Sequence, residues 1–464
     1  MSEIQNKKFH FIGIGGIGTS GLAKMLMRRG ATVSGSDMSD GPVIGELRTL
    51  GATVCLGHRP ENISSDTNEV VISAAITAGN PELARASELG IKIRKYAEML
   101  GILFDLQDGI AVAGTHGKST TSGWLSYLFQ AAGRKPNFIV GADIPQLGGS
   151  SGVGSGTDFI AEACEYDRSF LNLHSKTAVI LNIEQDHLDY YRDEDEIVGA
   201  FGDFASQVKP GGTLVANGQD KNVARVIRRV KDGFKIVTFG LETTCDYTAR
   251  QLERVGGTYA FDVYYKEDRL GRVHISLPGE HNIMNALAVI SAAMSAGLEF
   301  ETILKHLGGF TGIDRRLMLK AEIDGITILD DYAHHPTEIR ASLKGLRQKY
   351  IPKRLWCVCQ PHQYSRTRFL LDDFAESFKL ADLTIVPEIY FVRDTAESKS
   401  TVNAEVLVER IGQHQSHALF IRDFAGILEH LRHNVTTGDL VVTMGAGTIW
   451  KVADDYIQWL RGRC

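Results

Sequence analysis

The chain reads as an α/β protein built from three units, and three observations predict this. Strand-like apolar runs alternate with helical stretches along most of the sequence, the pattern of parallel sheets covered by helices. Two glycine-rich loops, Gly13–Gly18 and Gly114–Ser119, each stand between a strand and a helix. The length, 464 residues, is about three times a ~150-residue domain.

The first unit, residues 1–107, has strand candidates at Phe9–Ile14, Ala31–Ser34, Thr53–Leu56 and Glu69–Ser73. The second, residues 108–316, opens with the buried-strand pattern Gly109–Ala113. It continues through Asp158–Ala163, Thr177–Ile183, Gly212–Ala216 and Lys235–Phe239. Between Asp246 and Leu277 the pattern changes to alternating runs broken by Gly256-Gly257 and Gly271, which predicts a small antiparallel sheet. The third unit, residues 317–464, has strand candidates at Thr327–Leu329, Arg354–Cys359, Leu383–Val386, Ala418–Ile421 and Leu440–Met444. The glycine- and serine-rich stretch Gly148–Gly156 is expected to be a surface connection.

Composition narrows the function. Apolar residues make up 43% and charged residues 23%, with a net charge of −6, so the chain lacks the basic excess that nucleic acid or an anionic membrane would need. Six cysteines without a CxxC pair are too scattered for a disulfide framework. Cys357 and Cys359 lie in the apolar run Leu355–Cys359 and are expected in the core. No stretch nears 18 uninterrupted apolar residues, and the amino-terminal segment has no signal-peptide h-region. The expectation is a cytoplasmic protein, monomer or weak homodimer, with Asn434-Val435-Thr436 a chance glycosylation match.

The first loop, Gly13-Ile14-Gly15-Gly16-Ile17-Gly18, satisfies GxGxxG directly after a strand, and Asp37 follows 19 positions after Gly18. Backbone there approaches a pyrophosphate at a helix N-terminus, and the acid reaches a ribose. An NAD cofactor and a UDP-linked substrate have the same needs, so the loop predicts a diphosphate without naming it. The second loop, Gly114-Thr115-His116-Gly117-Lys118-Ser119-Thr120, follows Ile110–Ala113 and precedes a helical run. Its amides cradle phosphates, Lys118 neutralises their oxygens and the Ser119 hydroxyl suits Mg²⁺. The strict GxxxxGK[ST] pattern fails at its first position, where Val112 stands. A dehydrogenase has no use for this second loop; two phosphate loops in consecutive units predict ATP-driven transfer or ligation.

Further candidates stand at strand ends, where doubly wound sheets bind ligands. Glu162 and His187 are expected metal ligands or orienters. Asn282 and Asn285 share a helix face at i, i+3, suited either to an adenine edge or, for Asn282, to a helix cap. Asp331 and Tyr332 open Asp330–Glu338, where Thr337 or a neighbour could cap the helix. His362 and Arg366 stand in Gln360–Arg368, a candidate carboxylate clamp.

The ordered set GIGGIG, GTHGKSTT, QDHLD, GEHNIMNA, DRR, DDYAHHPTE, QPHQYSRTR and GAGTIW resembles the Mur ligases over nearly the whole chain, most closely those members that act on UDP-N-acetylmuramate and L-alanine. The resemblance implies a Rossmann-like UDP-binding domain, a central P-loop-type ATPase domain and a C-terminal Rossmann-like domain. It implies an ATP-dependent amide-bond ligase using Mg²⁺. Lys118 and Ser119 would hold phosphates and metal, and Glu162 and His187 would serve the metal centre. Asn282 would contact adenine with Asn285 nearby, and Arg316, with Arg315 beside it, would reach the phosphates. Asp331 would bind the ATP ribose with Tyr332 against the base. His362 and Arg366 would orient the amino acid. Gly15, Gly16, Ile17 and Gly18 would take the UDP diphosphate, with Asp37 or His58 at the uridine. The family commonly has Asp where Cys164 stands, Arg and Thr at Gln363 and Ser365, and Gly at Ala333. The competing expectations are a related ligase that reattaches recycled peptide, or an NAD-dependent dehydrogenase.

Overall fold

Five short strands near the amino terminus assemble into a parallel sheet, β1 (Lys8–Ile12), β2 (Thr32–Asp37), β3 (Thr53–Leu56), β4 (Glu69–Ile72) and β5 (Lys92–Lys95), in the order β3-β2-β1-β4-β5. The computed structural model describes residues 4–463 except 188–189, 231–232, 393, 395 and 416. Leu188 and Asp189 of the QDHLD run, and Cys464, are outside the described residues. β1 is the central strand, so Phe9, Phe11 and Ile12 are buried, as a strand covered on both faces requires.

The residues group into two compact units. The first takes Met1–Asn182, Val198–Thr238 and Ala288–Ile303, and the second Ile183–Ile197, Phe239–Leu287 and Leu304–Cys464. Besides the five-stranded sheet, the first unit contains β6 (Asp108–Ala113), β7 (Asn137–Ile144), β8 (Gly149–Gly152), β9 (Asp158–Glu162), β10 (Thr177–Ile180) and β11 (Thr213–Asn217). These lie in the order β11-β10-β6-β9-β7-β8, parallel except for β8, which runs antiparallel to β7. The stretch Gly148–Gly156 is therefore not a plain surface connection: part of it is an edge strand, with Gly152 opposite Phe138. The helix Ile17–Arg28 packs against β7 and β8, and a Cβ on Gly21 would stand 2.8 Å from Ser151 Cβ.

After β12 (Lys235–Gly240), the second unit contains the antiparallel ribbon β13 (Tyr247–Val255), β14 (Thr258–Tyr265) and β15 (Asp268–Ile275), as the alternation from Asp246 onward predicts. Its other sheet is built from β16 (Met318–Ile323), β17 (Ile326–Asp331), β18 (Leu355–Cys359), β19 (Leu383–Val386), β20 (Ala418–Phe420) and β21 (Leu440–Met444). The order is β16-β17-β21-β18-β19-β20, with only β16 antiparallel. Alternate residues of β17, β18 and β21 enter opposite cores. Leu329, Cys357 and Val442 pack with Leu343 and Phe374, while Ile328, Trp356 and Val441 pack with Leu431 and Tyr456. Cys357 and Cys359 are buried, as their apolar run predicts.

Two helix starts lie next to candidate site residues. The helix after the second loop begins at Lys118, so the lysine itself occupies the first turn. The helix Pro336–Tyr350 is capped by the His335 side chain, which accepts from the Thr337 N–H, with Pro336 at the first position; the cap is a neighbour of Thr337, one of the residues the sequence offered for it. Proline at that position loses no helical hydrogen bond, which explains why the break falls there.

Candidate active site

The GxGxxG loop turns sharply because Gly13 adopts φ +80°, a conformation that costs glycine little. Gly15 needs its missing side chain for a different reason: a Cβ would stand 2.9 Å from Asp37 Oδ2. The Gly15 N–H donates to that same oxygen at 2.8 Å, so the acid at the end of β2 also braces the loop. Gly15, Gly16, Asp37 and His58 line one open cavity of about 620 Å³ together with Met38 and Asn80. Ile17 and Gly18 do not line it. Gly18 is a packing position, since a Cβ there would stand 2.5 Å from the Tyr96 ring and hydroxyl. Gly18→Ala is expected to cost about 1–3 kcal/mol by overpacking, read as a lower urea midpoint, with much of the loss recovered in Gly18→Ala/Tyr96→Ala.

The second loop is held by its own strand neighbours. Asn182, just beyond β10, accepts from the His116 N–H at 2.7 Å and donates to the His116 carbonyl at 3.0 Å. Gly117, at φ +83°, sets the αL turn into the helix. Lys118 Nζ donates to the Gly114 carbonyl at 2.5 Å, to the Thr115 carbonyl at 3.1 Å and to Glu165 Oε1 at 3.0 Å. Burial works against the ammonium charge, yet Glu165, Cys164 and Glu162 together hold its pKa above the ordinary lysine value. Ser119 is buried and Thr120 half-buried in the first turn. Val112 interrupts the strict motif because it is still strand: it pairs with Glu162 of β9 and Val179 of β10.

Glu162 ends β9, and its Oε2 accepts from the Gly141 N–H at 2.7 Å. Among the described residues no bond is recorded for Oε1, so this carboxylate keeps ligand capacity. With the Ser119 hydroxyl it offers hard oxygen donors, the set that suits Mg²⁺.

The second unit gathers a separate group. His187 takes φ +53°, and its N–H donates to Asp186 Oδ1 at 2.7 Å. Arg366, 6% exposed, donates from Nε and Nη2 to the same oxygen at 3.0 and 2.7 Å. Its Nη1 lies 3.2 Å from both His362 Nδ1 and the His362 carbonyl. Burial opposes the Asp186 charge, but Arg366 and the imidazoles of His187 and His334 hold its carboxyl far below the usual carboxylate range. The guanidinium expected to take an amino-acid carboxylate thus already holds a protein carboxylate. His334 stays neutral, its pKa lowered to about 4 mainly by burial.

The remaining predicted residues fall into two small clusters. Asn282 is not the cap of the helix His281–Ser295 but its second residue. Its amide donates to the Pro278 carbonyl at 2.7 Å and accepts from Asn285 at 2.9 Å, which pre-orients both amides. Arg316 donates to Glu338 Oε1 at 3.3 Å and lies 5.2 Å from the Tyr332 ring centre. Arg315 is held by Asp330 at 2.9 Å and by the Gly445 carbonyl at 2.7 Å, so of the two arginines it has the structural role. Asp331 is buried at the end of β17, its pKa raised to about 6 by burial despite Arg316. Its Oδ2 accepts no hydrogen bond from the described residues, leaving an acceptor that a hydroxyl donor would satisfy.

Sequence reasoning missed Glu82, Asp186 and Tyr96 as members of these sites, and it left open whether Glu162 or Glu165 is the metal ligand; Glu165 binds Lys118 Nζ. Asp186 stands next to His187, which it singled out, so that acidic run held a signal. Glu82 and Tyr96 act on residues many positions away, and nothing local marks them.

Three family models tile this arrangement. The Mur ligase family catalytic domain matches residues 8–107, the Mur ligase middle domain 112–293, and the Mur ligase glutamate ligase domain 315–447. The chain belongs to the Mur ligase family. Among Mur ligase relatives, the UDP-N-acetylmuramate–L-alanine ligase of Acetivibrio thermocellus is 42% identical over 457 residues, covering 97% of this chain and 96% of the relative. The protein of the same name from Alkaliphilus metalliredigens is 41% identical over 98% and 97%. Of solved Mur ligase structures, UDP-N-acetylmuramate-alanine ligase MurC from Thermotoga maritima superposes with a TM-score of 0.81 at 25% identity, covering 98% of this chain and all of that one. A murein peptide ligase from Psychrobacter arcticus shares the fold with a TM-score of 0.72 at 24% identity, over 98% and 99%. The three-domain α/β fold read from the sequence is the Mur ligase fold.

Proposed function

We propose that this Mur ligase joins L-alanine to the carboxylate of UDP-N-acetylmuramate, using ATP, in the synthesis of peptidoglycan precursors. The observation that carries the reading is near full-length agreement, at about 40% identity, with relatives of that activity by name. The geometry is consistent with it: a diphosphate loop over an open cavity, a lysine-bearing phosphate loop, and a buried arginine adapted to a carboxylate. An NAD-dependent dehydrogenase would leave the Lys118 loop without a task.

The division of labour follows the segments 1–107, 108–316 and 317–464, which would bind UDP, ATP and amino acid respectively, in the cytoplasm. Gly15 and Gly16 present backbone to the diphosphate, with Asp37 and His58 toward the nucleoside. Lys118 and Arg316 supply positive charge to the phosphates, while Asn282, Asn285, Asp331 and Tyr332 hold the nucleoside of ATP. A carboxylate is a poor electrophile because its leaving group would be oxide. Transfer of the γ-phosphoryl group to the muramate carboxylate creates an acyl phosphate, and attack by the alanine amine then expels phosphate. The charge that develops falls to fixed cations, which cost no reorganisation at the moment of reaction. His362 and Arg366 orient the amino acid. Mg²⁺, held by Ser119 and Glu162 with His187, would add charge neutralisation at the phosphates.

The direct test is phosphate release from ATP in the presence of UDP-N-acetylmuramate, with L-alanine, glycine, L-serine or tripeptide added in turn. L-alanine is expected to give the highest kcat/KM. Release that depends on tripeptide instead would move the chain to the recycling ligases.

A further inference from the structure

Beneath the cavity proposed for the nucleotide lies a buried carboxylate with polar neighbours on both oxygens. Glu82, in the helix Pro81–Glu88, has no exposed surface. Its Oε1 accepts from the Arg59 N–H at 3.2 Å and from the Asn62 side-chain amide at 2.5 Å. Its Oε2 accepts from the Ser36 hydroxyl at 2.6 Å and lies 3.4 Å from His10 Nε2. The Arg59 N–H and the Asn62 amide group can only donate, which fixes Oε1 as an acceptor, and Oε2 accepts from the Ser36 hydroxyl in the ionised form. Burial alone would raise its pKa, but the bonds from His10, Ser36 and Asn62 hold it below the ordinary value.

Proton counting fixes the next link. Ser36 Oγ carries one hydrogen, and Glu82 takes it. The 2.8 Å contact between Ser36 Oγ and His58 Nδ1 must then draw its proton from the imidazole. The neutral ring is the Nδ1–H tautomer, and Nε2 is left as a bare acceptor. Among the described residues Nε2 has no hydrogen-bond partner. His58 lines the cavity with Gly15, Gly16 and Asp37. It follows β3, which lies beside β2 on the side away from β1. A nucleotide with its diphosphate on the loop after β1 and its ribose at Asp37, after β2, carries its base toward this histidine.

We propose that the Glu82–Ser36 relay fixes the tautomer of His58 so that Nε2 accepts from the ring N–H of a pyrimidine-2,4-dione, selecting uridine over cytidine nucleotides. This rests on the reading of the cavity as the UDP site. Uracil N3 carries a hydrogen, whereas cytosine N3 is an acceptor and would set one lone pair against another, a repulsive element as well as a lost bond. Glu82 and Ser36 are positioning residues that act through His58.

Glu82→Gln reverses the relay. Two of its four neighbours cannot accept, so the new amide nitrogen must face Ser36 and His10. The Ser36 hydroxyl is then free to donate to His58 Nδ1, and Nε2 becomes N–H. The experiment uses the full chain with ¹⁵N-labelled histidine, the His58 signals being assigned by their loss in His58→Asn. Wild type is expected to show His58 as Nδ1–H and to bind UDP about a hundredfold more tightly than CDP. Glu82→Gln is expected to show Nε2–H, a UDP/CDP ratio within about threefold of one, and a KM for UDP-N-acetylmuramate raised about tenfold at nearly constant kcat. Ser36→Ala, which buries no new polar group, tests the relay should Glu82→Gln fold poorly; its His58 is expected to lose the fixed tautomer and most of the preference. A wild-type His58 found as Nε2–H, or an unchanged UDP/CDP ratio in both variants, would overturn the relay. Failure of wild type to bind UDP, with the tautomer as stated, would overturn the assignment of the cavity and with it the proposed selection.

Discussion

Lys118→Ala is expected to lower kcat by at least about 10³-fold while the affinity for UDP-N-acetylmuramate, measured by calorimetry, stays within twofold. The magnitude follows from the proposed role of Lys118 as a fixed cation facing the charge that develops on the transferred phosphate. The separation of effects follows from geometry, since the cavity proposed for UDP is lined by Gly13, Gly15, Gly16, Asp37 and His58 and not by Lys118. One confounding effect has its own control. Lys118 neutralises the buried Glu165 at 3.0 Å, and removing one partner of such a pair is destabilising. Lys118→Ala/Glu165→Gln removes the orphaned charge and should regain thermal stability without regaining turnover. If turnover returned with stability, the lysine would be structural. Loss of UDP binding together with turnover would show that the two glycine loops have been assigned to the wrong ligands.

Arg366→Ala is expected to raise the KM for L-alanine by about a hundredfold or more, with the KM values for ATP and the UDP substrate little changed. It should also destabilise the fold by about 3–5 kcal/mol, because Asp186 is left buried and unpaired. Asp186→Asn in the same chain should restore much of the stability and none of the alanine affinity. The pair makes a pH prediction whose sign is fixed. The carboxyl of Asp186 is held below the usual range in the folded state, so its contribution is complete above the unfolded aspartate value, near 4. It is lost as pH falls through the lower, folded value. Wild type should therefore lose stability in acid more steeply than Asp186→Asn, as read from urea midpoints across pH 2–5. Equal slopes would mean that the pair contributes nothing to folding.

What the sequence made legible was whatever local pattern determines. Buried parallel strands such as β6 and β18 are short, mostly apolar runs, and loops such as Gly13–Gly18 and Gly114–Ser119 are spelled by the backbone conformations they require. β5, Lys92–Lys95, escaped because an edge strand with three basic residues in four has no apolar signature, and β8 escaped because glycine and serine rarely mark a strand. At the site, the residue types were readable but their engagements were not. Arg366 signalled a carboxylate clamp, yet nothing in its neighbourhood tells that Asp186 fills it. Glu82 lies 46 positions from Ser36 and 72 from His10, and only the sheet order β3-β2-β1-β4-β5 brings them together. The same limit hid Tyr96, which explains Gly18 better than ligand contact does.

The bare backbone of Gly21 lets the helix that follows the first loop lie against Ser151 on the edge of the central sheet. Both phosphate loops consequently belong to one body, and the span between them is a property of the fold. If the diphosphate sits on one and the γ-phosphate on the other, that span works as a calliper. It would suit an acceptor whose carboxylate stands at one set distance from its diphosphate. Choice of acceptor would then be made by length before any side chain reads its chemistry.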